Sequence, residues 1–346
     1  PDGHLYRGSV ETGPGRRLTT GTNTPSDIPG YAPPRVSPDG RRLALNGNWG
    51  GATAIDLTTG EVIGRGRGRG MHQPSWSPDG RRLAYISLQG HLCVYYLDNA
   101  PADCIFRQAR LQDALWSPTA EVIAVAVLDP WPEEPTTLRT GQVWLVDARS
   151  GEASAVAAYL TGFESVSGEV LAWLPNGAGL VIKKTPEGGG AIYRMDSGAL
   201  LPLAEPVESV SPDSRLVLHP SGAVNGTDGE LRFTLPTPNC PGFLSPIHAW
   251  SPDGAGLAGA WSCFTADGDA GQAAPLNVVD TATGATLWQQ SLAPDVWPVA
   301  WSPDGQYILL NGPTARSSLW RLRADGINEP ELIIEDAYLL AVVESW

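Results

Sequence analysis

Short runs of alternating apolar and polar residues follow one another along the whole chain, and turn-forming residues separate them. Arg82–Ile86 and Tyr307–Leu310 are examples of such runs. Alternation with a period of two is typical of half-buried β-strands. The longest apolar runs, such as Val122–Leu128, have the length of a strand and fall well short of the ~20 residues that a membrane-spanning helix needs. The pattern therefore predicts an all-β protein without a membrane span.

A tight turn recurs along the chain. The sequence Ser-Pro-Asp-Gly starts at residues 37, 77, 251 and 302, and degenerate copies start at Ser117, Leu174 and Ser211. Four of the six successive spacings fall between 37 and 40 residues, which indicates a repeat. Proline presets φ, aspartate bonds its own backbone, and glycine accepts a positive φ, so each copy predicts a turn between two strands, A and B.

A second hairpin, of strands C and D, follows each of these turns. Its own turn contains a glycine, as in Asp56–Gly60, Asp147–Gly151 and Asp280–Gly284. Four short antiparallel strands in about 40 residues are the signature of a β-propeller blade. Strand A usually ends in tryptophan, and we expect these residues to pack between neighbouring blades: Trp76, Trp116, Trp173, Trp250 and Trp301.

The number of blades follows from counting hairpins. An additional C–D hairpin is predicted at Leu5–Gly13, and a lone strand at Tyr338–Glu344. We therefore expect one domain over residues 1–346 with eight four-stranded antiparallel blades. The eighth would combine residues 1–20 and 337–346 and would be closed by pairing of the N- and C-terminal strands. The alternative is seven blades with the N-terminal hairpin as an appendage.

These motifs carry a family resemblance. The Trp-Ser-Pro-Asp-Gly turn, the Arg-Arg-Leu-Ala that follows it and the Asp-x-x-x-Gly turn resemble the TolB-like, WD-repeat-like propeller family over nearly the whole chain. The chain departs from the motif where Thr119 and Ser214 replace turn residues. The resemblance implies a bacterial or archaeal protein, often exported, that acts through protein contacts. A shared fold does not by itself assign a function.

Length variation is concentrated in the B–C and D–A loops, which lie at the opposite end of a blade from the turns. The long loops follow Leu128 in blade three and Phe264 in blade six. Because loops on a rigid scaffold often carry binding residues, we expect a partner-binding surface there. Its candidate residues are Trp49, His72, Trp131, Glu133, Glu134 and Trp297. The alternative is that each tryptophan only covers its own blade.

Composition and motifs bear on the type of partner. Against 37 acidic residues the chain has 23 basic ones, a net charge of −14, which argues against nucleic-acid binding. The five histidines show no metal-ligand spacing, no nucleophile elbow or phosphate loop occurs, and no cofactor is predicted. We therefore expect a non-catalytic scaffold that binds a protein, or alternatively a glycan. The sequence is also compatible with a polysaccharide lyase or hydrolase at the channel mouth and with a ligand-sensing ectodomain.

The four cysteines bear on localisation. Cys240 and Cys263 are both predicted at the loop end of blade six, and we expect them to form a disulfide. Cys93 and Cys104 lie in one C–D hairpin with a predicted offset of about four residues, which exceeds the reach of a disulfide unless the loop is wider. Four buried thiols are the alternative. A disulfide would favour an exported protein in the periplasm, on the cell surface or secreted.

Overall fold

The computed structural model describes residues 6–10, 13–17, 34–47, 51–65, 74–97, 102–108, 110–130, 138–162, 170–237, 243–264, 275–292, 296–312 and 318–335. The chain divides into two compact units, one over Arg17–Val207 and one that combines Tyr6–Arg16 with Glu208–Trp346. Regular structure in the described residues consists of β-strands, and none of these residues belongs to a helix that is long and apolar enough to cross a membrane.

The unit over Arg17–Val207 contains four blades. Blade one consists of β3 (Arg35–Val36), β4 (Arg42–Gly47), β5 (Gly51–Asp56) and β6 (Val62–Arg65). Blade two consists of β7 (Ser75–Trp76), β8 (Arg82–Ile86), β9 (Leu92–Tyr96) and β10 (Asp103–Phe106). Blade three consists of β11 (Leu111–Trp116), β12 (Val122–Leu128), β13 (Leu138–Asp147) and β14 (Ala153–Gly162). Blade four consists of β15 (Leu171–Trp173), β16 (Gly179–Ile182), β17 (Ala191–Arg194) and β18 (Leu200–Pro202).

The other unit contains three blades and the N-terminal hairpin, β1 (Tyr6–Ser9) and β2 (Gly13–Arg17). Blade five consists of β19 (Ser209–Val210), β20 (Leu216–Leu218), β21 (Ala223–Gly226) and β22 (Leu231–Thr234). Blade six consists of β23 (Phe243–Trp250), β24 (Gly256–Phe264), β25 (Leu276–Asp280) and β26 (Thr286–Gln290). Blade seven consists of β27 (Trp297–Trp301), β28 (Tyr307–Asn311), β29 (Ser318–Arg323) and β30 (Glu331–Glu335).

The described residues thus form seven four-stranded antiparallel blades, the arrangement of a seven-bladed β-propeller. The expectation of eight blades was wrong. Strands β1 and β2 form a separate two-stranded sheet, to which blade seven is joined by a hydrogen bond from Arg321 Nη1 to the carbonyl of Val10 (2.6 Å). Tyr338–Glu344 lies outside the described residues, so closure by the terminal strands stays a prediction.

The Ser-Pro-Asp-Gly turn is held by its own side chains. At Ser251 the hydroxyl donates to Asp253 Oδ1 (2.6 Å) and accepts from the amide of Gly256 (2.7 Å), while the amide of Ala255 donates to Asp253 (3.0 Å). The hydrogen bonds from Ser251 and Ala255 lower the pKa of Asp253. The same contacts form in the turns that start at Ser37, Ser77, Ser211 and Ser302. The turn prediction is confirmed.

The tryptophans that end strand A join neighbouring blades, as the sequence predicts. In four of the five, the indole N–H donates to strand A of the preceding blade, at 2.9–3.0 Å. The buried indole N–H of Trp116 has no hydrogen-bond partner among the described residues. The pairs are Trp76 with the carbonyl of Arg35, Trp173 with that of Leu115, Trp250 with the hydroxyl of Ser209, and Trp301 with the carbonyl of Ala249. These rings therefore belong to the packing between blades.

Candidate functional site

Each blade has a loop end, where strand B leads to strand C and strand D leaves the blade, and a turn end, where the A–B and C–D turns lie. Blade three is longer than its neighbours at its loop end. Strand β12 ends at Leu128, which pairs with Gly141. Leu138–Thr140 of β13 continues beyond this point and pairs with Leu160–Gly162 of β14. We call these two segments the blade-three extension. It places the side chain of Leu138, which is 46% exposed, beyond the body of the blade.

Polar contacts fix the base of this extension. Thr140 Oγ1 donates to Asp129 Oδ2 (2.6 Å), and Arg139 Nη2 donates to the carbonyl of Asp129 (2.9 Å). The amide of Asp129 donates in turn to the carbonyl of Thr140 (3.1 Å). Since these residues flank the loop that carries Trp131, Glu133 and Glu134, they determine where that loop leaves and rejoins the blade.

A set of hydrogen-bonded polar side chains, most of them buried, connects the extension to strand β11. The Tyr159 hydroxyl donates to Gln112 Oε1 (3.0 Å), and Gln112 Nε2 donates to Thr161 Oγ1 (3.2 Å). Tyr159 is fully buried, and both burial and the charge of Asp113 raise its pKa, so the hydroxyl keeps its proton as a donor. Gly141 is required here, because a Cβ at that position would overlap the Tyr159 ring. We call Gln112, Asp113, Tyr159 and Thr161 the polar cluster.

The backbone is strained where the polar cluster begins. Arg110 has a φ of +66°, a conformation that costs a non-glycine residue energy, and the β11–β12 register shifts between Leu111 and Asp113. Such a bulge redirects side chains. The buried carboxylate of Asp113 accepts hydrogen bonds from the amides of Ala114 (2.9 Å) and Val170 (3.3 Å), and Val170 leads into blade four. The polar cluster therefore joins the blade-three extension to strand β11 through Thr161, and it joins strand β11 to the start of blade four through Val170.

Sequence reasoning missed the polar cluster. Its members lie on different strands, and Gln112 and Tyr159 are 47 residues apart in the chain. One signal was present, since Tyr159 and Thr161 interrupt a strand that is otherwise made mostly of small apolar residues. The described residues include no group of three or more His, Cys, Asp or Glu side chains that could hold a metal ion.

Blade six has a different extension, formed by strands A and B. Strand β24 pairs with β25 only over Gly256–Gly259, whereas its pairing with β23 continues to Phe264. Trp261 lies in this region and is 4% exposed, and its indole N–H donates to the carbonyl of Pro236 (2.8 Å). Its ring packs against Gly222, where a Cβ would approach it to 2.6 Å. Trp261 is therefore a core residue.

Most of the predicted binding residues lie outside the described part of the chain: Trp49, His72, Trp131, Glu133 and Glu134. Trp297 begins β27 at the loop end of blade seven and is partly buried. Their assembly into one binding surface stays a prediction.

The cysteine prediction requires a correction. Cys93 and Cys104 are directly opposite each other in β9 and β10 and form a disulfide, with their Cα atoms 3.9 Å apart. The expected offset was wrong because the connection between these strands spans residues 97–102, which is wider than a tight hairpin turn. Cys240 lies outside the described residues, and of Cys263 only the backbone in β24 is described, so the Cys240–Cys263 disulfide stays a prediction.

Comparison with known proteins identifies the fold. The chain is similar to the β-propeller domain of Cps50 (Swd1) from Myceliophteria thermophila, with 16% identity, a TM-score of 0.48, and coverage of 81% of this chain and 92% of that chain. It is also similar to dihydro-heme d1 dehydrogenase NirN in complex with DHE, with 19% identity, a TM-score of 0.57, and coverage of 86% of this chain. The match spans 65% of the NirN chain, just under two thirds of its length.

A eukaryotic initiation factor is a third similar structure, with 13% identity, a TM-score of 0.48, and coverage of 86% of this chain and 87% of that chain. No protein-family model matches the sequence, and no curated protein sequence does. At these identities the similarity concerns the fold alone, and a shared fold does not decide between catalysis and binding.

Proposed function

We propose that this protein is a non-catalytic β-propeller scaffold of the TolB-like, WD-repeat-like type, and that it binds a partner protein through the loop end of blade three. The observation that carries the proposal is the blade-three extension, whose base is fixed by Asp129, Arg139 and Thr140 and which the polar cluster joins to strand β11. A rigid support of this kind reduces the entropy that the attached loop loses when it binds.

We also propose that the protein is exported. The Cys93–Cys104 disulfide supports this localisation, because disulfides persist in oxidising compartments and are rare in the cytosol. The resemblance to the TolB-like family supports the same conclusion.

Leu138→Ser tests the binding surface. An exposed apolar side chain that becomes buried in an interface contributes about 1–3 kcal/mol, so we expect roughly tenfold weaker capture of the partner from the envelope fraction of producing cells. The measurement is quantitative pull-down, with the captured protein identified by mass spectrometry.

Leu200→Ser is the matched control. Leu200 is 45% exposed, almost the same as Leu138, but it lies in β18 at the turn end of blade four. The control should capture the partner as well as wild type does. Equal capture by both variants would exclude the blade-three extension as the binding surface.

A further inference from the structure

Blades one and two differ from the others directly after their turns. Arg41 and Arg42 follow the first turn and Arg81 and Arg82 the second, whereas each of the other five blades has at most one arginine at these two positions. These four arginines stand against three carboxylates that pair with them, Asp39, Asp79 and Glu121, which leaves a local excess of one positive charge in a chain whose net charge is −14. At physiological salt, exposed charges more than about 8 Å away are largely screened. A charged ligand at this position therefore interacts mainly with these local side chains and only weakly with the acidic residues elsewhere in the chain.

A groove of about 490 Å³ lies at these positions, at the turn ends of the two blades. We call it the arginine groove, and it is lined by Arg42, Asp79, Arg81, Arg82, Tyr96 and Leu97. Its volume lies within the range of ~300–1,000 Å³ that is typical of ligand sites.

Two of the three arginines hold the walls of the groove. Arg42 Nη1 donates to the carbonyl of Gly80 in blade two (2.9 Å) and pairs with Asp39 (3.3 Å). Arg82 donates through both terminal nitrogens to Glu121 (2.6 and 2.8 Å) and lies 4.9 Å over the Trp116 ring. These contacts join blades one, two and three, so the walls are built from fixed side chains.

The third arginine, Arg81, differs from Arg42 and Arg82 in its contacts with the described residues. The Arg81 side chain is exposed and makes no hydrogen bond or ion pair with any described residue, although its backbone amide donates to Asp79. Asp79 already accepts from Ser77 and pairs with Arg82. Tyr96 and Leu97 add an aromatic ring and an apolar side chain to the same groove.

From this combination we infer that the arginine groove binds a short peptide segment in which a carboxylate side chain is next to an apolar residue. The Arg81 guanidinium presents paired N–H donors that match the two oxygens of a carboxylate. Tyr96 and Leu97 cover the apolar neighbour. The inference goes beyond the proposed function and does not depend on it, because the groove lies at the turn ends of other blades.

Two labelled peptides test the inference by fluorescence anisotropy: acetyl-Leu-Glu-Leu-Glu-Leu-amide and the same peptide with glutamine in place of glutamate. We expect the glutamate peptide to bind about tenfold more tightly than the glutamine peptide, and the difference to shrink as salt is raised. Arg81→Gln should remove the difference.

Arg41→Gln is the matched control, since Arg41 has the same position in the turn of blade one but does not line the groove. This variant should keep the preference for glutamate, and both variants should unfold at the temperature of wild type. Equal binding of the two peptides by wild type would overturn the inference, and so would equal loss in the two variants.

Discussion

The fourth residue of the repeated turn carries a positive φ angle wherever the structure shows a glycine there. The values are +67° at Gly40, +64° at Gly80, +71° at Gly177, +72° at Gly254 and +70° at Gly305. Ser214 adopts the same conformation with a φ of +65°. Left-handed backbone is costly for residues with a Cβ, so the preference for glycine has a conformational cause.

Gly305→Ala tests this cause in isolation, because a Cβ at Gly305 would meet no atom within 4 Å. We expect a loss of about 1–2 kcal/mol in the free energy of unfolding, measured by urea denaturation. Gly305→Asn should lose clearly less, because asparagine visits the left-handed region more readily. A larger loss for asparagine than for alanine would contradict the explanation.

Strand β27 carries two tryptophans in different environments. Trp301 is 8% exposed and donates to Ala249 in the preceding blade, whereas Trp297, four residues earlier on the same strand, is partly buried. Among the described residues, no hydrogen bond of the Trp297 indole is found. The strand therefore joins blade seven to blade six through Trp301, at the end next to the turn.

Trp301→Phe should destabilise the protein by about 1–3 kcal/mol, since the buried carbonyl of Ala249 loses its donor. Trp297→Phe is the control on the same strand, and we expect it to cost under about 1 kcal/mol. Thermal unfolding followed by circular dichroism measures both. Similar losses would show that the indole hydrogen bond does not matter.

Elements whose signals are local could be predicted from the sequence. The repeated turns, the strands beside them and the role of Trp301 follow from short motifs and alternation. The pairing of Cys93 with Cys104 could not be predicted, because it depends on the width of the connecting loop. The polar cluster could not be predicted either, because Tyr159 and Gln112 meet only after blade three has formed.

At the scale of the whole molecule, the blade count depends on contacts between distant parts of the chain. The hairpin β1–β2 has the local sequence of a C–D hairpin, yet among the described residues its strands pair only with each other. Its contact with Arg321 joins residues 311 positions apart. No local pattern contains that information.

Because the aspartate-containing turns are repeated, many carboxylates contribute together to the dependence of stability on pH. Within the described part of the chain the pKa is lowered from 3.8 at nine aspartates, most of them in turns: Asp39, Asp79, Asp147, Asp213, Asp228, Asp253, Asp280, Asp304 and Asp325. A pKa that folding lowers contributes stability above the unfolded value. That contribution is lost as the pH falls through the folded value.

We therefore expect the urea midpoint to fall steeply below about pH 4. The double variant Asp253→Asn, Asp304→Asn should be less stable than wild type at pH 7 and should lose less between pH 7 and pH 3. A midpoint that is constant or rises over this range would contradict the expectation.

The indole hydrogen bonds of Trp76, Trp173, Trp250 and Trp301 all run from one blade to the blade before it. During synthesis the acceptor strand therefore leaves the ribosome first. Its hydrogen bond can form only after the tryptophan that donates to it, 41 to 58 residues later in the chain, has also been made. Blades two, four, six and seven each supply the donor for the blade before them, so the growing chain repeatedly ends in a blade whose joint has not yet formed. Truncation from the C-terminus would leave a carbonyl or hydroxyl without its donor, whereas truncation from the N-terminus would leave an indole without its acceptor.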